Sequence, residues 1–380
     1  MTQDFVKEIL NGDGGRIYFP NSSLFPNGIK IDNVMFTIPG IGLEIYWYGF
    51  LIALGMVLAM IYAYKNTRRF GLEPDRFTDA VLAGFIGGII GARAYYVVFS
   101  LDRYLKDDGS FDLMAALRVR DGGLAIYGGI IGALLFGLVM AKIRKVNIPA
   151  LLDLTGMGFL IGQCLGRWGN FFNQEAFGAK TTLPWGMTSQ KIINDLYAFY
   201  WPENVSIVTN RATEMIAHPC FFYESLWCLI GFIALHFYKK HRKFDGELFL
   251  LYIGWYGLGR FWIEALRTDS LYLVNNDVMK LKVSQLVAGT CVLFAVMILA
   301  YMYIQLRKKP YTFYKDTEES KELIRVYDEK VIVSKRKSGK HADDALDEHI
   351  LAEDAEYTSE TESDEPAENS ESEEQAENQE

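Results

Sequence analysis

Apolar and polar positions alternate along this chain in long blocks. Seven stretches, near 45–64, 78–99, 123–142, 149–168, 220–238, 247–266 and 284–306, are apolar enough to be read as membrane spans. A helix needs roughly 20 such residues to cross a bilayer. Basic clusters follow every second stretch: KNTRR after the first, KIRK after the third, KKHRK after the fifth and RKK after the seventh. Lys and Arg in short loops mark the cytoplasmic side. The pattern therefore predicts an all-α polytopic membrane protein with seven transmembrane helices, its N-terminus outside and its C-terminus cytoplasmic. Arg103, Lys106, Arg118 and Arg120 in the loop 100–122 weaken the contrast without reversing it. Three parts are expected: an extracytoplasmic segment 1–44, a transmembrane domain 45–309 with a long outer loop 169–219, and a tail 310–380.

Charge changes the picture at the C-terminus. The 380 residues carry a formal −9, yet His341 to Glu380 holds 17 Asp and Glu with no Lys or Arg, and without them the rest carries +8. The tail, rich in Glu, Ser and Ala, reads as acidic, cytoplasmic and disordered. Four cysteines, Cys164, Cys220, Cys228 and Cys291, lie in or beside apolar runs with no CxxC pair. They read as small buried hydrophobes. The polar start, MTQDFVKEILNGDGG, gives no cleavable signal peptide. Gly84 and Gly88, Gly87 and Gly91, and Gly128 and Gly132 stand four apart, the interval of closely packed membrane helices.

Polar groups in an apolar chain are costly unless paired or used. GRWGNFFNQEAFG (166–178) gathers Arg167, Asn170, Asn173 and Glu175 at one helix end, with Gly166, Gly169 and Gly178 permitting tight turns. A snorkelling helix end accounts for the arginine but poorly for two asparagines and a glutamate. GLGRFWIEALR (257–267) puts Arg260, Glu264 and Arg267 at i, i+4 and i+7, on one helix face. One glutamate does not neutralise two arginines, and phosphate fits the guanidinium fork. An internal ion-pair network is the alternative. Tyr48 in IYWYGF and Tyr127 in DGGLAIYGG offer hydroxyl donors to a headgroup, or serve as interfacial anchors. Arg93 within the second span needs a partner or an anionic ligand, and Asp153, His218, Tyr223 and Glu224 are also too polar to ignore, structural pairing being the simpler role for each of those four. HExxH, GxSxG and P-loop patterns are missing, which leaves an intramembrane protease little support.

Taken in order, WYGF, GARAYYV, DGGLAIYGG, GRWGNFFNQEAFG, HPCFFYE and GRFWIEALR resemble the prolipoprotein diacylglyceryl transferase family of bacterial inner-membrane enzymes, over about residues 34–308. The stretch 166–178 is similar to the family signature, GRxGNFxNxExxG. The resemblance implies transfer of the diacylglyceryl group of phosphatidylglycerol to the lipobox cysteine of a preprolipoprotein, the first step of lipoprotein maturation. A thioether forms and glycerol phosphate leaves. It implies Arg167 and Arg260 as essential arginines, Asn170, Glu175 and Gly178 as signature positions, Glu264 as the motif glutamate and Tyr48 as the first-span tyrosine. With Arg267 these form the expected phosphatidylglycerol-binding set, while Arg167, Arg260 and Tyr127 are the catalytic candidates.

One position departs from the family pattern: several members have histidine where this chain has Tyr127. Tyrosine, with a pKa of about 10, is a poor base at neutral pH but a good donor, so Tyr127 is expected to orient the headgroup. The substrate thiol supplies the nucleophile, a few per cent of it thiolate near neutral pH. Arginines in a poorly solvated site stabilise the charge gathering on the departing phosphate. No metal or organic cofactor and no nucleic acid is expected. The expected location is the bacterial cytoplasmic membrane, multi-pass, with the site toward the outer leaflet. Two other classes stay open, a small-molecule transporter or channel and a non-catalytic lipid-binding scaffold. Against transport stand the lack of a repeated half and the gathering of polar groups toward one face.

Overall fold

The computed structural model describes every residue except 1, 13, 24, 41, 107–108, 119–121, 201–213, 271, 276–279 and 338–380. The helices are α1 (Gln3–Asn11), α2 (Trp47–Asn66), α3 (Pro74–Phe99), α4 (Leu113–Leu117), α5 (Ile126–Ile143), α6 (Ile148–Phe172), α7 (Gln190–Tyr200), α8 (Cys220–Tyr238), α9 (Glu247–Leu266), α10 (Val283–Leu306) and α11 (Glu318–Lys337). Three antiparallel hairpins join them: β1 (Arg16–Ile17) with β2 (Ile29–Lys30), β3 (Val34–Ile38) with β4 (Leu43–Tyr46), and β5 (Tyr272–Asn275) with β6 (Lys280–Lys282).

Among the described residues six helices, α2, α3, α5, α6, α8 and α10, are long and apolar enough to cross a membrane. The remaining expected span forms as α9, twenty residues long, but it carries Glu247, Arg260 and Glu264. Local chemistry sets the starts. Glu73 accepts the Arg76 N–H at 2.9 Å ahead of Pro74 in α3, and Asn147 accepts the Ala150 N–H at 3.1 Å ahead of Pro149 in α6. Both are side-chain caps for otherwise unpaired helical donors.

α6 is central. α2 packs along one side of it, α8 and α9 along another, and α10 covers α9. Their shared core includes Leu154, Met157, Leu160, Cys228 and Leu248. α3 and α5 pair closely and touch α2 and α6 only sparsely. The glycine spacing explains that pairing: a Cβ on Gly91 or Gly128 would run into the other helix's backbone, and one on Gly132 into Gly87 O. α8 and α9 are clasped by Trp227 and Trp255. Their rings stack at 4.3 Å, and each indole N–H donates to the other's carbonyl at 2.8 and 2.9 Å. Gly231 and Gly259 give these rings room.

A second core caps one end of α6. Val6, Ile9 and Ile17 from the N-terminal segment meet Ile192, Leu196 and Met215 from the 169–219 region around Phe171 and Phe221. This is the cap end. The opposite, basic end carries the Lys and Arg clusters. There Asp153, fully buried, accepts the N–H groups of Gly246 and Phe249 at 2.9 and 3.0 Å, at the start of α9. Arg242 lies 3.8 Å from Asp153 and 3.3 Å from Asp245. Asp153 is thus a structural pairing residue, as its sequence context suggested.

A tail disordered from residue 310 is corrected by the structure up to Lys337. Asp245 accepts the Tyr314 N–H at 2.7 Å, and the Ser320 hydroxyl donates to Gly71 O at 2.7 Å. Taken by itself, α11 is laced by Arg325, which pairs with Glu322 and Glu329 at 2.8 Å. Composition alone missed these i+3 and i+4 pairs, which support helix. The acidic stretch 341–380 lies outside the described residues.

Candidate active site

Two neighbouring contacts set the register between α6 and α8. The Trp168 indole donates to Ser225 Oγ at 3.1 Å, and Ser225 donates to Cys164 O at 2.8 Å. The preceding residues on the two helices, Arg167 and Glu224, then meet, with Nε 2.6 Å from Oε2. The tryptophan clasp brings α9 to the same place, so Arg260 Nη1 lies 2.7 Å from the other oxygen, Oε1. Arg260 also holds Glu264 at 2.7 Å, and Arg267 Nη1 comes to 3.7 Å from Glu224. Three guanidinium groups from two helices thus surround one carboxylate that is only 4% exposed.

Arg267 is further held by Asp269 through two hydrogen bonds of 2.9 and 2.6 Å. Burial works against its charge, but Asp269, Glu224 and Glu264 more than offset this and raise its pKa above the ordinary arginine value. The Lys282 ammonium, buried at the end of β6, donates to Glu264 O and Arg267 O, both at 2.6 Å. It ties the β5–β6 hairpin to the end of α9 and satisfies carbonyls that the helix leaves open. Burial pushes its pKa down, against the pull of Glu264 and Asp269. The named groups are four cations and three carboxylates. The centre keeps a positive surplus of one charge.

The signature loop after α6 builds a scaffold beside this centre. Glu175 does not reach the arginines. Its Oε1 accepts the amides of Asn170 at 3.0 Å and Asn173 at 3.1 Å. On either side of Glu175, Gln174 and Ala176 take φ of 51° and 56°. The left-handed region costs a non-glycine residue roughly 1–2 kcal/mol, so the amide–carboxylate network holds a strained turn. The chain then passes Gly178, whose N–H donates to His218 O at 2.8 Å and which pairs with Arg267 in an isolated bridge. A Cβ there would press on Cys220 Sγ, His218 Cβ and Leu266 O. Gly178 lets one strand bind the exit of α6, the entry of α8 and the exit of α9.

His218 Nδ1 meets Tyr223 OH at 3.1 Å, and Tyr223 OH accepts the Trp185 indole N–H at 2.7 Å. Burial lowers the His218 pKa, which favours the neutral ring. A cavity of about 860 Å³ adjoins the loop, lined by Asn173, Gln174 and Glu175 and, across from them, Lys30, Tyr46 and Lys191.

The other expected residues lie elsewhere. Tyr48, at the start of α2, fills the space left by Gly169 and is 39% exposed. Tyr127 opens α5 with its side chain 56% exposed, and among the described residues no contact joins it to the arginines. Arg93 donates five hydrogen bonds of 2.6–3.0 Å to carbonyls of Ala115, Ala116, Arg118, Gly122 and Gly123. It anchors a loop and is not open to an anion. Sequence reading missed Asp269 and Lys282, which bear no helical spacing to the arginines. Glu224 was seen only as one polar residue among several. No cluster of three or more His, Cys, Asp and Glu suited to a metal ion occurs among the described residues.

Surplus guanidinium charge around a buried carboxylate, beside a strained loop and a cavity, suits binding and charge stabilisation of an anion. Comparison with known proteins gives the same direction. The family model described as "Prolipoprotein diacylglyceryl transferase" matches residues 33–301. A phosphatidylglycerol–prolipoprotein diacylglyceryl transferase of Geobacillus kaustophilus is 39% identical over 254 residues, 67% of this chain and 87% of its own. The enzyme of that name from Clostridioides difficile is 37% identical over 243 residues, 64% of this chain and 86% of its own. That of Thermotoga maritima is 38% identical over 275 residues, 72% and 85%. The matched region contains every helix that builds the arginine centre, and on that ground the chain belongs to the prolipoprotein diacylglyceryl transferase family.

Proposed function

We propose that this chain transfers the diacylglyceryl group of phosphatidylglycerol to the lipobox cysteine thiol of preprolipoproteins, the first step of bacterial lipoprotein maturation. The observation that carries the reading is Glu224 held between Arg167 and Arg260 within a family-matched bundle. The cysteine sulfur forms a bond to the glycerol carbon that bears the phosphate. That carbon's bond to the phosphate oxygen breaks, the electron pair stays on the leaving glycerol phosphate, and the thiol proton passes to solvent or to the departing phosphate. Arg167 and Arg260 stabilise the charge gathering on that phosphate, with Arg267 and Glu264 fixing their orientation. Asn170, Glu175 and Gly178 shape the loop against which the headgroup lies. Tyr48 packs under that loop, and Tyr127 donates a hydrogen bond to the headgroup.

In this reading α9 is the seventh membrane helix and tolerates its charges because they face α6 and α8. The basic end is cytoplasmic and the cap end external, in the bacterial inner membrane with the site toward the outer leaflet. Incubating the purified chain with phosphatidylglycerol and a lipobox peptide tests it. The expected product is a peptide heavier by one diacylglyceryl unit on its cysteine. An unmodified peptide, in the presence of bound lipid, would favour a scaffold instead.

A further inference from the structure

At the basic end, far along the bundle from Glu224, the fold buries a second cation in a different way. Lys239, just after α8, is 7% exposed. Its ammonium donates to Asn66 Oδ1 at 2.7 Å and to Tyr62 OH at 3.5 Å, and sits 5.3 Å from the Tyr62 ring centre. Tyr62 OH also meets His236 Nδ1 at 3.0 Å. Every one of these partners is neutral or basic. The charges that bear on Lys239 are those of Arg69 and Lys240, both of its own sign. The same three cations, Arg69, Lys239 and Lys240, bear on His236.

Arg242, three positions on and similarly buried, shows what the fold does when it neutralises a cation internally. It receives Asp153 and Asp245, and it stacks over Phe70 at 3.9 Å. Lys239 receives no carboxylate among the described residues. A buried ammonium with only neutral acceptors is strongly disfavoured. An ammonium has three N–H donors, and the contacts above use two. Asn66 ends α2 and Lys239 follows α8, so the cluster lies where these two apolar helices end. Basic pockets between membrane helices recognise phosphate headgroups.

We propose that this cluster is a second phosphate-binding site, separate from the transfer centre. Lys239, with the charges of Arg69 and Lys240 beside it, takes the phosphate group of an anionic phospholipid or a free phosphate as its counter-charge. The site does not depend on the transferase reading.

The test counts lipids on the full chain released from detergent micelles into a native mass spectrometer, with added phosphatidylglycerol. Two retained lipids are expected for the unaltered protein. Lys239→Met loses one, with at least tenfold weaker retention, and keeps its turnover at saturating lipid, while Lys239→Arg restores retention. Arg260→Ala loses the other lipid and the turnover, so failure of the transferase reading appears at Arg260 and not at Lys239. Asn66→Asp, which supplies a carboxylate beside Lys239, expels the lipid while raising the thermal midpoint, and it serves if Lys239→Met does not fold. Displacement of that lipid by inorganic phosphate identifies a site that takes the free anion; resistance identifies a headgroup site. Unchanged retention in Lys239→Met or Asn66→Asp overturns the proposal, as does equal retention of zwitterionic phosphatidylethanolamine. So does lipid binding that emerges only after residues 338–380 are removed, because the acidic tail would then be the counter-charge.

Discussion

Arg167 and Arg260 hold opposite oxygens of the same carboxylate, that of Glu224, at 2.6 and 2.7 Å. Neither guanidinium is placed by its own helix alone. Each position depends on the carboxylate and, through it, on the other arginine.

Replacing Glu224 with Gln is therefore expected to be costly. Removing one partner from a buried ion network strands the rest, at about 3–5 kcal/mol. Unfolding of the micelle-bound protein should show a loss of that order, with transfer activity falling alongside. A Glu224→Gln protein as stable as the parent would mean the arginines are held by something else.

Arg260→Ala should cost transfer as well as stability, since it also leaves Glu264 without its arginine. Losing one preorganised donor to a developing anion typically lowers turnover by about 10²–10³. Arg260→Lys keeps the charge but cannot hold Glu224 and Glu264 with one planar fork, so most of the loss should remain. Turnover on a lipobox peptide, set beside phosphatidylglycerol binding, separates the two effects. Near-normal turnover in Arg260→Lys would reduce the arginine to a point charge.

The strained turn makes a prediction of opposite sign. Ala176 has φ of 56°, where glycine sits without penalty, so Ala176→Gly should stabilise the protein or leave it unchanged, by up to about 1 kcal/mol. Glu175→Ala removes the acceptor shared by Asn170 and Asn173 and should destabilise the loop by about 1–3 kcal/mol. Comparing thermal midpoints of the two variants checks both signs.

His218 links stability to pH. Burial lowers its pKa below 6.5, so the folded state prefers the neutral ring. The contribution is fully present above the unfolded value. It is lost as pH falls from near 6.5 through the lower folded value, because the unfolded chain takes up the proton first. The parent should lose thermal stability between pH 7 and pH 5 more steeply than His218→Gln. Parallel curves would remove His218 from the account.

Much of the bundle was legible because burial in lipid imposes a simple demand, long apolar helices, and the glycine spacing of α3 and α5 pointed to their close pairing. The face shared by Arg260, Glu264 and Arg267 follows from helical period and was also readable. What joined that face to Arg167 was not, since the link is Glu224 on a third helix, positioned by Trp168, Ser225 and the Trp227–Trp255 clasp. Glu175 illustrates the converse. Its place in a polar motif suggested contact with the anion, but its two amide donors are local, and it supports the turn instead. The last described helix was missed because acidic composition hid the ion-pair spacing around Arg325.

The strand at Gly178 draws together segments made early, midway and late in synthesis, ending with Arg267. A ribosome that has released only the helices through α8 has supplied Glu224 and Arg167 but not Arg260. Until α9 arrives, Glu224 has Arg167 but not Arg260 as its partner. The arginine centre is therefore assembled only once α9 has been made.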